Sequence, residues 1–185
     1  MKTYTLKLTL RGVSPLVWRR LRVPGTTSLA TLHEAIQIVN GWDNENLHRF
    51  HIYAVDYGIN YMGGLSFRKD ARKVLLDDFE FSAGDKFFYE YNFFENHVVD
   101  IRVEAVTEEI IPVEQAKIYC LTGKGIPGMT QRDEIHAKYE LLEAITKINA
   151  KTTVRDLLPF VEALRATRFD LKHTNKALQT PLSDA

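Results

Sequence analysis

The sequence predicts an α+β domain: a mainly antiparallel sheet of about five strands, one helix that crosses it near the N-terminus, and a C-terminal helical segment. Five segments between residues 4 and 106 show the two-residue alternation of half-buried strands. Between the second and third of them, apolar residues recur at the three- and four-residue steps of an amphipathic helix. Helical spacing returns beyond residue 130. These three observations are the basis of the predicted fold class.

The first two strands are predicted over residues 4–10 and 16–23, separated by a breaker cluster that contains Gly12 and Pro15. The second strand carries two alternating sets of side chains, which must point to opposite faces: Val17, Arg19, Leu21 and Val23 against Trp18, Arg20 and Arg22. We expect Trp18 to pack beneath the helix and the arginines to lie at the edge of the sheet.

The crossing helix follows the second strand. Thr27 or Ser28 can cap its start by accepting a first-turn N–H, and Gly41 stands where a left-handed C-terminal cap is expected. Between these positions runs one apolar stripe, formed by Leu29, Leu32, Ile36 and Val39. The sequence therefore predicts a helix that packs one face on the sheet.

The remaining strands are predicted over residues 47–55, 87–91 and 98–106, and residues 56–70 and 122–130 are predicted to be loops. Helices are predicted over about 132–150, after Thr152 or Thr153, and over 169–178. The predicted organisation is a sheet domain over 1–130, a helical segment over 131–179 packed on it, and a tail over 180–185, together forming one structural domain.

Composition limits the classes of function. Lysine plus arginine equals aspartate plus glutamate at 24 each, which argues against a dedicated nucleic-acid coat protein but leaves room for a local basic patch. The one cysteine excludes an intrachain disulfide and fits a reducing compartment. No apolar run approaches the length that crosses a bilayer. We predict a cytoplasmic protein without a membrane partner, and no cofactor is predicted.

Several motifs occur in the order found in one known family. They are Pro15-Leu16-Val17-Trp18-Arg19-Arg20, Leu32-His33, Gly41-Trp42, Leu47-His48-Arg49-Phe50, and Tyr89-Glu90-Tyr91 leading into Ile101-Arg102-Val103-Glu104. With these motifs the chain resembles the Ri-plasmid open-reading-frame-three-like proteins, which occur on plasmids, in chromosomes and as passenger genes of insertion elements. The resemblance spans residues 4–139. Because that family has no settled biochemical function, the resemblance bears on fold more than on mechanism.

The second half departs from the family pattern. Members carry Tyr-Asp-Phe-Gly-Asp followed by a Trp and a His two residues apart, whereas this chain has Tyr91-Asn92-Phe93-Phe94-Glu95 and then His97 and Val99. Where members have Pro-Pro-Glu-Asp and paired glycines, Pro127-Gly128-Met129 stands instead. The resemblance therefore does not carry over an activity that depends on those carboxylates and that histidine.

One hypothesis is a metal-dependent hydrolase or nuclease that uses His33, Glu34, His48 and His51. Imidazole is a common metal ligand and titrates near neutrality, so clustered histidines suggest this chemistry. The spacing is unfavourable, because an offset of three places His48 and His51 on opposite faces of a strand. His33-Glu34 also lacks the second histidine of a zinc-protease helix.

A second hypothesis is nucleic-acid binding through a basic and aromatic strand surface. Arginines that neutralise phosphates, next to rings that stack on bases, would provide it. The residues proposed for this surface, or for contact with another partner, are Arg19, Arg20, Arg22, Arg49, Tyr57 and Tyr61.

The third hypothesis, which the sequence favours, is a non-catalytic binding module whose partner is an unknown protein or small ligand. The aromatic residues Tyr53, Tyr57, Tyr61 and Phe67 lie in and around the loop predicted over 56–70, where they can line a pocket or a partner surface. No catalytic constellation stands out in the sequence.

Overall fold

The computed structural model describes residues 1–13, 16–60, 66–108, 110, 112, 116–125, 128 and 169–180. Its centre is one sheet of seven strands: β1 (Lys2–Leu10), β2 (Trp18–Pro24), β3 (His48–Ile52), β4 (Val55–Tyr57), β5 (Lys86–Tyr91), β6 (His97–Glu108) and β7 (Tyr119–Lys124). The strands lie in the order β4-β3-β5-β6-β1-β2-β7, and each pair of neighbours is antiparallel. Two α-helices, α1 (Leu29–Asn40) and α2 (Leu171–Leu178), accompany it.

The antiparallel α+β prediction is confirmed, but the predicted count of about five strands is wrong by two. β4 is absent from the prediction because the turn before it uses Tyr53 and Ala54 at φ 50° and 61°, where Asn-Gly would be the usual signal. β7 is absent because Gly123 lies inside it, and a glycine there is typical of a loop. A Cβ at Gly123 would stand 2.8 Å from side-chain atoms of Arg19 and Phe169, so the close approach requires glycine.

One face of the sheet is covered by α1 and holds the core. Inward residues of β1, such as Leu6 and Leu8, pack with the buried stripe of α1, where Leu32 and Ile36 are fully buried. The helix begins as predicted, with the Ser28 hydroxyl accepting the Thr31 N–H at 3.1 Å. It ends at Gly41 in the left-handed conformation, φ 68°. No helix among the described residues packs on the other face, which carries the outward side chains of the strands and which we call the open face.

The alternation predicted for β2 is confirmed, but the packing expected from it is wrong. Arg19, not Trp18, lies beneath α1, and its Nε donates to the carbonyl of Val39 at 2.8 Å. Trp18 is half-buried on the open face together with Arg20 and Arg22. The arginines are not at the sheet edge either, because β7 pairs with β2 on its outer side.

The helix α2 covers the edge that β7 would otherwise expose. The Asn175 side chain accepts the Cys120 N–H and donates to the Cys120 carbonyl, both at 2.8 Å, as a neighbouring strand would. Gln179 Nε2 donates to the Ile118 carbonyl at 3.0 Å. The predicted helix over 132–150, the one after Thr152 or Thr153 and the domain boundary at 130 lie outside the described residues. In the part of the chain that the structure describes, no helix has the length and apolar character to span a membrane.

Candidate functional site

His33 on α1 and His48 on β3 come together beneath the helix. Their rings are stacked, with centroids 3.5 Å apart and planes at 8°. His33 Nε2 lies 2.7 Å from Asn44 Oδ1, so this nitrogen carries the proton and donates. His33 Nδ1 then accepts from the Tyr89 hydroxyl at 2.7 Å. Gln37 Nε2 donates to the same hydroxyl oxygen at 2.7 Å, which completes a directed chain of hydrogen bonds.

Burial keeps both histidines neutral. It lowers the pKa of His33 to about 4, and burial together with the neighbouring His33 lowers the pKa of His48 to about 3. His48 Nε2 is buried without a hydrogen-bond partner in the structure. The stacked pair is therefore a neutral, enclosed polar cluster with no exposed imidazole.

The four residues proposed for a hydrolase do not form one site. His51 points to the opposite face of β3, as its offset from His48 predicts, and its Nδ1 lies 2.6 Å from Asp56 Oδ1 on β4. Glu34 is half-buried on α1 next to His33. Within the described ranges, no three His, Cys, Asp or Glu side chains are arranged to hold a metal ion.

A second aromatic stack lies next to this pair, beneath the loop over residues 43–46. Trp42 stacks on Tyr91 at 5.2 Å and on His97 at 5.5 Å between ring centroids. The Tyr91 hydroxyl donates to Asp43 and accepts the N–H of Glu45 at 3.0 Å. This stack fixes the loop that follows α1, and the same loop supplies Asn44 to His33.

Arg19 is unavailable to a phosphate because it is fully buried. Its Nη1 donates to the carbonyls of Trp18 at 2.9 Å and Lys124 at 2.7 Å, and its guanidinium lies 4.2 Å from the Phe169 ring centroid. Burial lowers its pKa to about 10. Its position joins β2, α1, β7 and the segment that leads into α2, which is a structural role.

The other proposed arginines lie on the open face of the sheet. Arg20 donates to Glu104, with Nη2 to Oε1 at 3.0 Å. Arg49 bridges Glu90 and Asp56 at 2.7 and 3.0 Å. Arg22 lies two residues beyond Arg20 and is half-buried on the same face.

The register of the sheet creates a row of cations on the open face that the sequence did not reveal. Lys86 on β5 lies opposite Arg102 on β6. Arg102 in turn lies opposite Lys7 on β1, and Lys7 lies opposite Arg20 on β2. We call these four residues the basic row. With strands about 4.8 Å apart, the row extends over roughly 14 Å. Like charges placed opposite each other destabilise a sheet. Glu104 pairs with Arg20 and lies close enough to Lys7 and Arg102 for their charges to lower its pKa, so it offsets part of this repulsion.

Aromatic rings lie next to the basic row on the same face. The Trp18 ring has Lys7 Nζ at 5.5 Å and Arg20 Cζ at 5.4 Å from its centroid. The Phe88 ring stacks on His51 at 4.7 Å and has Arg11 Cζ at 5.7 Å. The two rings stand in one cross-strand row with Asp100 and Thr9 between them. Rings and cations are thus interleaved across the sheet.

The open face concentrates positive charge in a chain that is neutral as a whole. Its described strand positions, with Arg11 at the end of β1, carry eight basic and four acidic side chains, a surplus of four. The basic ones are Lys7, Arg11, Arg20, Arg22, Arg49, Lys86, Arg102 and Lys124. The acidic ones are Asp56, Glu90, Asp100 and Glu104. Since the chain has 24 residues of each sign, the rest of it carries a matching negative surplus.

Three of the aromatic residues proposed to line a pocket do so. Tyr53, Tyr57 and Phe67 border an open groove beside β4, with a volume of about 960 Å³. Tyr61 lies outside the described residues. None of the residues that line the groove belongs to the basic row, so the two features are separate.

The chain is similar to proteins from a bacterium and an archaeon. "Uncharacterized protein y4hQ" of Sinorhizobium fredii is 36% identical over 100 residues, which are 54% of this chain and 52% of that protein. The chain thus spans about half the length of the curated relative it matches. The crystal structure of MM3350, a protein of unknown function from Methanosarcina mazei, superimposes with a TM-score of 0.61 at 25% identity, covering 93% of this chain and 97% of that one.

The family comparison covers nearly the whole chain. The sequence profile of the family described as "Plasmid pRiA4b ORF-3-like protein" matches residues 2–177. The matched range includes the stacked histidines, the basic row and the Trp42 stack. The resemblance inferred from the motifs is thereby confirmed, and the chain belongs to the plasmid pRiA4b ORF-3-like family, whose function is unknown.

Proposed function

We propose that this protein is a non-catalytic, cytoplasmic binding module that holds single-stranded nucleic acid on the open face of its sheet. The observation that supports the proposal is the basic row, in which Lys86, Arg102, Lys7 and Arg20 are consecutive cross-strand partners. The cations of the row repel one another. Glu104, which pairs with Arg20 and lies near Lys7 and Arg102, offsets only part of that repulsion, since it is one carboxylate among four cations. A polyanion laid across the strands would relieve that repulsion and release its own counterions.

The rings beside the row favour nucleic acid over other polyanions. Trp18 and Phe88 lie on the open face with cations already close to them, and their exposure is partial. Bases that are not paired in a duplex can stack on such rings, at about 1–3 kcal/mol per base. A sheet that combines phosphate-binding side chains with stacking rings fits single strands, because a duplex keeps its bases within its own stack.

The experiment measures binding of a fluorescein-labelled single-stranded oligonucleotide of about ten nucleotides by anisotropy, at about 50 and 200 mM salt. We expect saturable binding that weakens with salt. Each of Lys7→Ala, Lys86→Ala and Arg102→Ala should lower the slope of log affinity against log salt by about 0.7, the value for one phosphate contact on a single strand. Lys172→Ala, on exposed α2, is the matched control and should leave the slope unchanged.

A second variant separates stacking from charge. Trp18→Leu retains an apolar side chain but removes the indole, and we expect a loss of affinity of about 5- to 150-fold with the salt slope retained. The same oligonucleotide annealed to its complement should bind more weakly. Absence of binding at the lower salt concentration, or an equal effect of Lys172→Ala and Arg102→Ala, would contradict the proposal.

A further inference from the structure

The groove beside β4 is a second feature of the surface that the nucleic-acid proposal does not use. It lies between β4 and the two short 3₁₀ turns, Ala71–Lys73 and Leu76–Phe79, and its volume of about 960 Å³ is in the range of small-molecule sites. It stands at one edge of the sheet, whereas β1 and β2 of the basic row are in its other half.

Aromatic rings form the walls of the groove. Tyr57 packs edge-on against Phe79, with centroids 5.3 Å apart, and Tyr53 lies 6.5 Å from the same ring. Tyr57 is almost fully buried and forms the floor, while Tyr53 is 60% exposed. Phe67 also lines the groove. A planar ring that enters the groove therefore has several aromatic side chains to pack against.

Cations form the rim of the groove. Arg68, Lys69 and Lys73 are exposed lining residues, and Lys69 Nζ lies 6.0 Å from the Tyr57 ring centroid. The lining also contains two acids, but both are engaged by neighbouring groups. Asp70 accepts from the Arg72 guanidinium at 3.0 Å, and Asp78 accepts the Leu75 N–H at 2.9 Å. Arg72 compensates the charge of Asp70, whereas Asp78 stays anionic, so three cations of the lining face one uncompensated carboxylate and its balance is positive.

We infer that this groove binds a small aromatic anion, a molecule with one planar ring system and a phosphate or carboxylate group. The ring would stack between Tyr53, Phe67 and Phe79, above the edge of Tyr57. The anionic group would lie at the rim, where Lys69 and Lys73 supply ammonium donors and Arg68 supplies a guanidinium that can hold two oxygens at once.

The test is an isothermal titration calorimetry experiment in which adenosine 5′-monophosphate is titrated into the full chain. We expect saturable binding of the monophosphate, and at least about tenfold weaker binding of adenosine, which lacks the charge, and of ribose 5-phosphate, which lacks the ring system. The double variant Lys69→Ala/Lys73→Ala should weaken binding of the monophosphate by about tenfold or more. Lys172→Ala/Lys176→Ala removes the same charge from α2 and should have no effect.

The result is independent of the oligonucleotide experiment, because the groove variants leave the basic row intact. No saturable binding of the monophosphate, equal binding of all three compounds, or equal loss in the α2 control would overturn the inference. A urea denaturation curve of Lys69→Ala/Lys73→Ala that coincides with that of the wild type would show that the variant is folded.

Discussion

Arg19 illustrates how one buried side chain can connect most of this fold. Its guanidinium donates to carbonyls of α1 and β7 and stacks on Phe169 ahead of α2. A buried charge is costly unless its donors are satisfied, and here backbone oxygens satisfy them. Val39 lies at the C-terminal end of α1, where unpaired carbonyls give a partial negative charge. The burial of the side chain is therefore compensated without a carboxylate among the contacts described.

Replacing Arg19 should destabilise the protein far more than replacing its neighbour. Arg19→Met would leave the buried carbonyls of Val39 and Lys124 without donors, and we expect a loss of about 3 kcal/mol in the free energy of unfolding. Arg20→Met removes a half-exposed ion pair with Glu104 and should cost about 1 kcal/mol or less. Urea denaturation of both variants measures the difference. Equal losses would show that Arg19 has no special structural role.

The stacked histidines make stability depend on pH. Both have folded pKa values, about 4 for His33 and about 3 for His48, that lie below the value of about 6.5 expected in the unfolded chain. Below pH 6.5 the unfolded state therefore binds more protons, and the free energy of unfolding must fall as the pH falls. The contribution of the two neutral histidines to the free energy of unfolding is complete above about pH 6.5, and it decreases as the pH falls towards about 4. At pH 5 the expected cost is about 2 kcal/mol per histidine.

His48→Phe tests this dependence, because it keeps a ring against His33 and removes one titrating group. Denaturation curves at about pH 7 and pH 5 should show roughly half the loss of stability found in the wild type. An unchanged loss would mean that other groups cause the acid sensitivity.

At the scale of elements, the sequence predicts strand faces and helix ends well where a local pattern determines them. It predicts them poorly where contacts between residues distant in sequence determine them. Alternation in β2 and in β3 correctly assigns the faces of Arg20 and His51, and the Ser28 and Gly41 caps bound α1 as expected. β7 could not be predicted, because Gly123 is needed there only to admit Arg19 and Phe169, which are distant in sequence. Arg19 alternates with the apolar residues Val17, Leu21 and Val23, which is a signal for the core face, but the usual preference of tryptophan over arginine for the core favours Trp18.

The contact between α2 and β7 can be tested at one amide. Asn175→Ala removes the side chain that accepts the Cys120 N–H, and we expect hydrogen exchange of that amide to accelerate by about five- to tenfold, corresponding to roughly 1 kcal/mol. Gln179→Ala is the control, since Gln179 bonds only the Ile118 carbonyl in this contact and protects no N–H there. Equal exchange in wild type and Asn175→Ala would show that the edge is protected by another group.

At the scale of the whole molecule, composition conceals the property that matters for binding. The chain has a calculated isoelectric point near 7.0 and equal numbers of acidic and basic residues. The candidate surface could not be predicted from the sequence, because Lys7, Lys86 and Arg102 become neighbours only through the register of three strands. The sequence instead favours the clustered arginines of β2 as the nucleic-acid surface, but Arg19 among them is buried.

The asymmetry of charge predicts chromatographic behaviour unusual for a neutral protein. At about pH 7 the protein should be retained on a strong cation exchanger at low ionic strength. When the open face lies against the resin, its surplus of positive charge is within roughly a Debye length of the resin charges, whereas the negative charges elsewhere on the protein are more strongly screened. Lys7→Ala/Arg102→Ala should elute at clearly lower salt. Lys172→Ala/Lys176→Ala changes the net charge by the same amount at α2, away from the open face, and should elute close to the wild type. If the two double variants elute together, retention follows net charge alone, and the open face does not act as a distinct basic surface.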